Sequence, residues 1–480
     1  MSIFSTRLLL PFALVTFASA QVTTTPVTTD NGAPAAQPQQ QPASQQPTPP
    51  GVEPRIHELP DSFDQSNTPV VPADAPTLTL AQAEQLALAH NPRINIARLT
   101  ALAQGEVTRE NRAAYMPTLS AAATAVQADN GGRLTAGALN NPVLYTRAAF
   151  GATLNQLLTD FGRTRNLVAS ASLRAKAADS TLAATHDDIL FAVETTFYRA
   201  LGAQALIGVA QQNVRTRRAT ANQIGALTKA RLRSTLDLSF ANADLAQAQL
   251  QLLDARNNSV EAQAALSALL GDENSTVYRL VDETPNHPAF PPAEAAPLVT
   301  LAFKSRPDLR SLNQTAQAEH NFAKAEHNLS LPSISALGAV GTAPTHDGQI
   351  TQNVYGAVGV NLSVPVFNGF LYSARYNEAK LQAKAADEHV RQAHDTIARD
   401  VTTTVLQAQS NFNRIAVAEQ LAQQSSTALK LAKTRYDLGL SSIVELSQAQ
   451  LLDTQAQIQL TSARYSYQGS LAAIRYQTGQ

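Results

Sequence analysis

The sequence predicts a mainly α-helical protein with a small β part, built from two copies of one unit. Each copy joins a β-hairpin to a long coiled-coil helical hairpin. Three observations carry this prediction: a long-range repeat, two proline-free stretches at 143–284 and 366–480, and short alternating segments around Gly- and Pro-rich turns.

The repeat is read from its prolines. Leu86 to Pro92 matches Leu301 to Pro307, and Ala114 to Ser120, around Pro117, matches Leu329 to Ser335, around Pro332; both pairs share an offset of 215. Later landmarks run at an offset of 208: Asp160 with Asn368, Leu236-Asp237-Leu238 with Val444-Glu445-Leu446, and Gly271 with Gly479. The offset changes once, between Pro117 and Asp160, so the copies differ mainly in one loop, where length changes are tolerated. The expected organisation is a signal peptide at 1–20, a linker at 21–76, a first repeat at 77–271, an inter-repeat linker at 272–293 and a second repeat at 294–480.

Within each copy the elements follow in one order. An apolar-periodic segment (79–113, 294–328) is interrupted by Pro92 or Pro307, whose predecessors Asn91 and Arg306 are biased away from the α region. Two strand-like stretches follow, at about 118–128 and 145–156 in the first copy and 332–341 and 354–365 in the second. They flank turns marked by Gly131-Gly132 and Asn140-Asn141-Pro142, and by Pro344 and Gly348. The last is the clearest strand, with Val358, Val360, Leu362 and Val364 on one face. Then the chain becomes helical: an unbroken helix from Arg163 to Ala230 would be roughly 100 Å long. After the hairpin tip a seam with spacings of 3 and 4 runs Leu238, Ala241, Leu245, Ala248, Leu252, and its counterpart runs Leu446, Ala449, Asp453, Ala456, Leu460, as coiled coils require.

Composition agrees. Only 5% of the 480 residues are aromatic, Trp and Cys are absent and the net charge is −1. Poor aromatic content with abundant Ala and Gln suits long helices packed through small side chains. The charge gives no basic surface for nucleic acid. Without Cys there are no disulfides, thiolate metal sites or acylated N-terminal Cys. Arg7, the apolar run to Phe17 and Ala18-Ser19-Ala20 have the order of a cleaved secretory signal. Residues 21–76 hold 12 of the 25 prolines and are expected to form a disordered linker. No later stretch is long and apolar enough for a transmembrane helix.

Four strands cannot close a sheet, and open edges are not tolerated in lipid. If the strands lie in a membrane, several chains must share one barrel. Three chains would supply twelve strands and, being duplicated, near six-fold symmetry.

The motifs, taken in order, resemble the TolC outer-membrane efflux family. Leu78-Thr79-Leu80 through Asn91-Pro92 resembles its opening motif, and Ala114 to Ser120 its helix-to-strand proline motif. Val364-Pro365-Val366-Phe367-Asn368-Gly369 resembles its strand-to-helix motif, and Arg435 to Leu446 its helix tip. The resemblance covers about 78–480. It implies a homotrimer with a twelve-stranded barrel in outer-membrane lipid, continued by a periplasmic α-helical tunnel. The implied channel is passive, non-enzymatic and cofactor-free. A periplasmic adaptor and an inner-membrane pump dock at its tip, as in tripartite efflux or type I secretion.

The resemblance also assigns residues. Asp237 falls on an acidic gate position, Glu445 on an acidic aperture position, and Tyr436 on a gate tyrosine. Six carboxylates near one axis would form a negative ring favouring cations. Ser441 stands where some members place a gate arginine, and Gln448 where another aperture acid stands. Arg231 replaces the glycine expected at the first tip, the counterpart of Gly439, so a different turn is expected there, with Arg231 or Arg233 pairing with Asp237. Gly439 and Leu440 would contact the adaptor. The copies also differ at Leu245 against Asp453, so unequal motion of the two hairpins is expected.

Catalytic patterns are weak. His186-Asp187-Asp188 has no partner at metal-ligand spacing, His389 and His394 are five apart and do not share a helix face, and His90 precedes a helix break. The competing reading is a periplasmic coiled-coil adaptor without a pore, which would need a soluble β-rich domain. Cell fractionation separates the two: the channel reading expects the mature protein in outer membranes, and recovery in the soluble periplasm would reject it.

Overall fold

The computed structural model describes residues 72, 74–127, 146–272, 276–284, 290–345 and 353–480. The proposed signal peptide, most of the linker and the turn residues Gly131, Gly132, Asn140, Asn141, Pro142 and Gly348 lie outside the described residues.

The first copy begins with β1 (Thr77–Leu78), α1 (Leu80–His90) and α2 (Pro92–Ala113). Thr79 and Gln82 close a reciprocal capping box at the start of α1. Pro92 then occupies the first position of α2, where a missing N–H costs nothing. Strands β2 (Thr118–Val126) and β3 (Arg147–Thr159) lead into α3 (Arg163–Lys229) and α4 (Thr235–Leu270). After β4 (Arg279–Leu280) the series repeats as α5 (Ala296–Ser305), α6 (Pro307–His327), β5 (Ser333–Thr345), β6 (Val354–Ser363), α7 (Leu371–Asp437) and α8 (Ile443–Thr478). The copies match closely: α3 and α7 each have 67 residues, and α4 and α8 each have 36. Among the described residues no helix is long and apolar enough to cross a membrane.

Two expectations need correction. The segment 272–293 does more than connect the copies, because β4 pairs in parallel with β1 and buries Leu78 and Leu280 beneath α3 and α4. The third predicted strand does not end before Pro344. It continues to Thr345, because proline lacks only the donor of a pair and is tolerated at a strand end.

The four long strands form one antiparallel sheet in the order β2-β3-β5-β6, so β3 and β5 join the copies and β2 and β6 leave open edges. The register puts Leu119, Phe150, Leu154, Val340, Val358, Val360 and Leu362 on one face, all between 42% and 93% exposed. The opposite face carries Ser120, Thr153 and Asn155; Ser120 and Thr153 share a 2.7 Å hydrogen bond.

Each strand end turns into its long helix through two left-handed residues. These are Phe161-Gly162 in the first copy and Gly369-Phe370 in the second, with all four φ values between 53° and 94°. The helices then pack by small residues. The predicted seams of α4 and α8 turn inward throughout, with Ala241, Ala248, Ala262, Ala456 and Ala463 buried.

The proline motifs anchor the far end of each hairpin. Asn91 donates to the carbonyl of Leu269 (2.9 Å), and Arg306 donates to the matching carbonyl of the second copy, that of Gln477 (3.3 Å). The capping glycines Gly271 (φ 73°) and Gly479 (φ 70°) press against these breaks. A Cβ on Gly271 would sit 2.9 Å from the His90 carbonyl oxygen. Gly271→Ala should therefore destabilise the fold by at least ~1–2 kcal/mol, the ordinary cost of the left-handed region. Gly105→Ala, mid-helix with nothing within 4 Å, should stabilise by ~0.5–1 kcal/mol. Thermal unfolding of the two variants followed by circular dichroism checks both signs.

Candidate functional site: the tips of the helical hairpins

The two tips are the same turn. Arg231 adopts φ 61° and Gly439 φ 74°. In the first tip the N–H groups of Ala230, Arg231 and Leu232 donate to the carbonyls of Ala226, Thr228 and Leu227. In the second, Leu438, Gly439 and Leu440 donate to Thr434, Tyr436 and Arg435. Every donor and every acceptor matches its counterpart at the offset of 208. The expectation of a different first turn is thus overturned: hydrogen bonding at the helix end outweighs the ~1–2 kcal/mol that a non-glycine residue incurs there. Ser234 and Ser442 both cap the return helices, Ser234 accepting from Leu236 N–H two residues on (3.1 Å) and Ser442 from Glu445 N–H three residues on (3.3 Å).

Neither tip arginine pairs with Asp237. Arg233 reaches the other hairpin, where its guanidinium lies 4.5 Å from the Tyr436 ring centroid and donates to the Tyr436 carbonyl at 3.1 Å. The cation–π contact and the charge-assisted bond outcompete an exposed ion pair across one helical turn. Tyr436 is 2% exposed, packed among Ala221, Ile224, Ala241, Ile443 and Leu446. Its hydroxyl is buried without a hydrogen-bond partner. Burial pushes its pKa up, partly offset by Arg233. The expected gate tyrosine is therefore placed as a core residue between the hairpins of one chain.

The remaining expected residues lie around it. Asp237 is half-buried in the first turn of α4, and Glu445 occupies the equivalent place in α8. Glu445 also pairs with Arg435 at 3.2 Å, with both side chains about half exposed, a contact of little net worth. Ser441 Oγ is buried without a partner, and Gln448 is exposed. Gly439 has open space around it, and Leu440 is 67% exposed beside Leu438, with Leu232 and Leu236 similarly bare on the first tip.

A polar cluster above the tip was missed from the sequence. Arg217 of α3 is 6% exposed. Its Nη1 donates to Asp244 Oδ2 (2.8 Å) in the same hairpin and to Gln450 Oε1 (2.8 Å) and Ser447 Oγ (3.3 Å) of α8. Ser447 Oγ donates to Asp244 Oδ2 (2.5 Å) and Gln450 Nε2 to Thr220 Oγ1 (3.1 Å). Burial lowers the Arg217 pKa and Asp244 opposes that shift. Lower down, Gln223 Nε2 donates to Asp437 Oδ1 at 3.2 Å. A signal for Arg217 existed: the buried stripe of α3 runs Ile207, Ala210, Val214, Arg217, Ala221, Ile224, with an arginine at a seam position. Such a residue fixes register and partner.

Above this cluster, α3 and α8 part around a cavity of about 440 Å³ lined by Gln212, Asn213, Gln450, Asp453 and Gln457. Asp453 stands where the first copy has Leu245. Burial raises its pKa, and its Oδ1 finds no hydrogen-bond partner. Of the titratable residues weighed for catalysis, Asp188 accepts from Tyr476 Oη (2.6 Å), and His394 meets the Phe303 ring edge-on.

A sheet continued at one end by two very long paired helices is the protomer fold of outer-membrane channels. The OprN channel superposes with a TM-score of 0.74 at 20% identity, covering 83% of this chain and 89% of that one. VceC from Vibrio cholerae gives 0.72 at 19% identity, covering 83% and 96%. The outer membrane efflux protein family matches residues 83–272 and 298–480, and the chain belongs to that family. Among relatives, the outer membrane protein TolC of Vibrio cholerae serotype O1 is 25% identical over 325 residues, 65% of this chain and 72% of its own. TolC of Escherichia coli K12 is 22% identical over 403 residues, 81% and 79% respectively.

The geometry separates the ring of Tyr436 from its hydroxyl. Tyr436→Ala should cost ~3–5 kcal/mol through the cavity it leaves. Tyr436→Phe should change stability by less than ~1 kcal/mol, since it removes a polar group that has no partner. Denaturant unfolding of both variants checks this, and a large loss in Tyr436→Phe would restore a role for the hydroxyl.

Proposed function

We propose that the chain is one protomer of a trimeric, passive exit duct, carrying cargo from an inner-membrane pump and a periplasmic adaptor across the periplasm and the outer membrane. One observation carries this reading: a four-stranded sheet with an exposed apolar face and two open edges runs directly into helices of roughly 100 Å. An apolar face suits lipid, but open edges do not. Three chains pairing β6 of one with β2 of the next would close twelve strands. The helices then hang into the periplasm as a tunnel whose mouth the tips narrow.

The faces of α2 and α6 support a neighbouring copy. Ser311 and Gln314 of α6 bind α3 through Ala177, Ser180 and Thr181. Their first-copy counterparts on α2, Ile96 and Leu99, are each 63% exposed, and Leu102 below them is 64% exposed. In a trimer these side chains would pack against α7 of the next chain, as α6 packs against α3. The bare leucines Leu232, Leu236, Leu438 and Leu440 offer an adaptor an apolar rim. No step of chemistry is assigned to the chain, and the apolar N-terminal segment is read as a signal removed on export.

Asp237 and Glu445, at equivalent places on the two tips, would give six carboxylates around the mouth. The double variant Asp237→Ala with Glu445→Ala should lower the cation-over-anion permeability ratio by about two-fold or more and change conductance in planar bilayers. An unaltered channel would sink the carboxylate-ring assignment.

A further inference from the structure

We infer that the polar face of the sheet, where the strands turn into the long helices, holds a binding site for an oxyanion. The ligand class is a carboxylate, phosphate or sulfate group on a solute passing through the duct, and the Arg163 guanidinium is its anchor. This rests on the trimeric reading above, in which the apolar face meets lipid and the polar face lines the bore. The site lies at the opposite end of α3 from the hairpin tips.

A cavity of about 450 Å³ opens at this junction. Strand ends and the first turns of α3 and α7 build its wall, which carries Asn155, Asp160, Arg163, Ser333, Ser363 and Tyr372. The register sets Asn155 opposite Thr118 and Ser333 opposite Ser363, on the side away from Leu154 and Leu362. The two charges in the wall are unequally engaged. Asp160 accepts from the N–H groups of Gly162 (3.2 Å) and Thr164 (2.6 Å) and from Thr164 Oγ1 (2.6 Å). Its carboxylate is thus occupied in closing the start of α3, against the positive end of that helix. Arg163 is in the opposite condition. Its Nε is buried without a partner, and among the described residues no hydrogen bond or ion pair engages its guanidinium. A guanidinium presents a planar fork that takes two oxygens of one anion. Tyr372, Ser333, Ser363 and Asn155 add neutral donors around the same cavity. A free guanidinium among neutral donors, beside an acid already satisfied, selects an oxyanion over a cation.

The duplication supplies an internal control, because the second copy lacks the anchor. At the offset of 208, Arg163 becomes Leu371 and Asp160 becomes Asn368, while Asn155 becomes Ser363 and Thr164 becomes Tyr372. The equivalent junction between neighbouring chains therefore keeps a small polar wall without the cation. A trimer carries three guanidinium sites around the bore, one per chain, opposite in sign to the carboxylates at the mouth. Binding there must be weak enough to release the solute, as conduction requires.

The full chain in planar bilayers of phosphatidylcholine, with inorganic pyrophosphate added on the barrel side, tests the site. Pyrophosphate should reduce the single-channel conductance. Arg163→Gln should raise its half-blocking concentration about ten-fold or more, as loss of a charge-assisted bidentate contact implies. Arg163→Lys keeps the charge but not the fork and should recover part of that loss. Arg165→Gln removes an exposed cation two residues away, outside the cavity wall, and should stay within about two-fold of the wild type, since exposed charges are screened by salt. Leu371→Arg places a guanidinium at the counterpart position and should lower the half-blocking concentration at least about three-fold. Block that is unchanged in Arg163→Gln, or that weakens equally in Arg165→Gln, overturns the site. If the Arg163 variants do not assemble, the absence of a gain in Leu371→Arg overturns it. An Arg163 effect confined to bilayers containing phosphatidylglycerol assigns the guanidinium to lipid headgroups and overturns the solute site as well. Wild-type protein that forms no conducting trimer overturns the trimeric reading and the site with it, whereas conducting trimers that pyrophosphate does not block overturn the site alone.

Discussion

A helix as long as α3 has little stability of its own in water and persists because a stripe of side chains is buried along its length. In α3 that stripe meets α1, α2 and α4 of its own copy and α6 and α8 of the other. The first copy supplies an upper core of Ile189, Val193 and Phe197 against Leu266 and Leu270. In the second, the matching Ile397 and Val401 pack against Ala302 of α5 and Leu309 of α6, the counterparts of Ala87 and Ile94. Between that core and the Tyr436 cluster at the tips, many of the buried residues are alanine, serine and threonine, so the helices run close together and the seams become thin. Large apolar side chains are few there, and polar links acquire influence that they would not have in a bulky core.

That thinning explains why an arginine is buried in a coiled-coil seam. A buried charge contributes little net stability, but removing one of its partners is costly. Arg217 therefore specifies which hairpin lies beside which more than it strengthens the contact. The same logic applies to Arg233, whose cation–π contact uses one of the chain's few aromatic rings. Asp453 differs. It is an acid with one oxygen unpartnered, beside a polar cavity, at the seam position where its first-copy counterpart Leu245 packs. The two hairpins share a backbone and differ in the side chains at equivalent seam positions.

The sheet imposes a second constraint on a different scale. Its edges, β2 and β6, carry unpaired backbone groups, and its apolar face is bare. Both defects belong to the single chain and are relieved by the same event in the proposed assembly, the closure of strands from neighbouring copies in lipid. The exposed row on α2 fits that arrangement at the level of the helices. The duplication makes each such surface complementary to one already buried inside the chain.

Much of this was legible in the sequence. Proline positions and the offsets of 215 and 208 determined the order of elements, the equality of the copies and the places where helices start and stop. Backbone geometry is local: Pro92, Pro307, Gly271 and Gly479 act through their own dihedral preferences. The seams of α4 and α8 were legible as a period. Turn identity at the first tip was misjudged because residue type alone does not reveal that helix-end hydrogen bonds hold Arg231 in a left-handed conformation. The pairing of β1 with β4 was invisible because two residues carry no pattern. Only the tertiary structure decided the partners of Arg217, Arg233 and Gln223 and the burial of Tyr436. Those contacts join residues from opposite copies, and which long polar side chain reaches which neighbour depends on helix rotation and spacing, quantities that no local preference encodes.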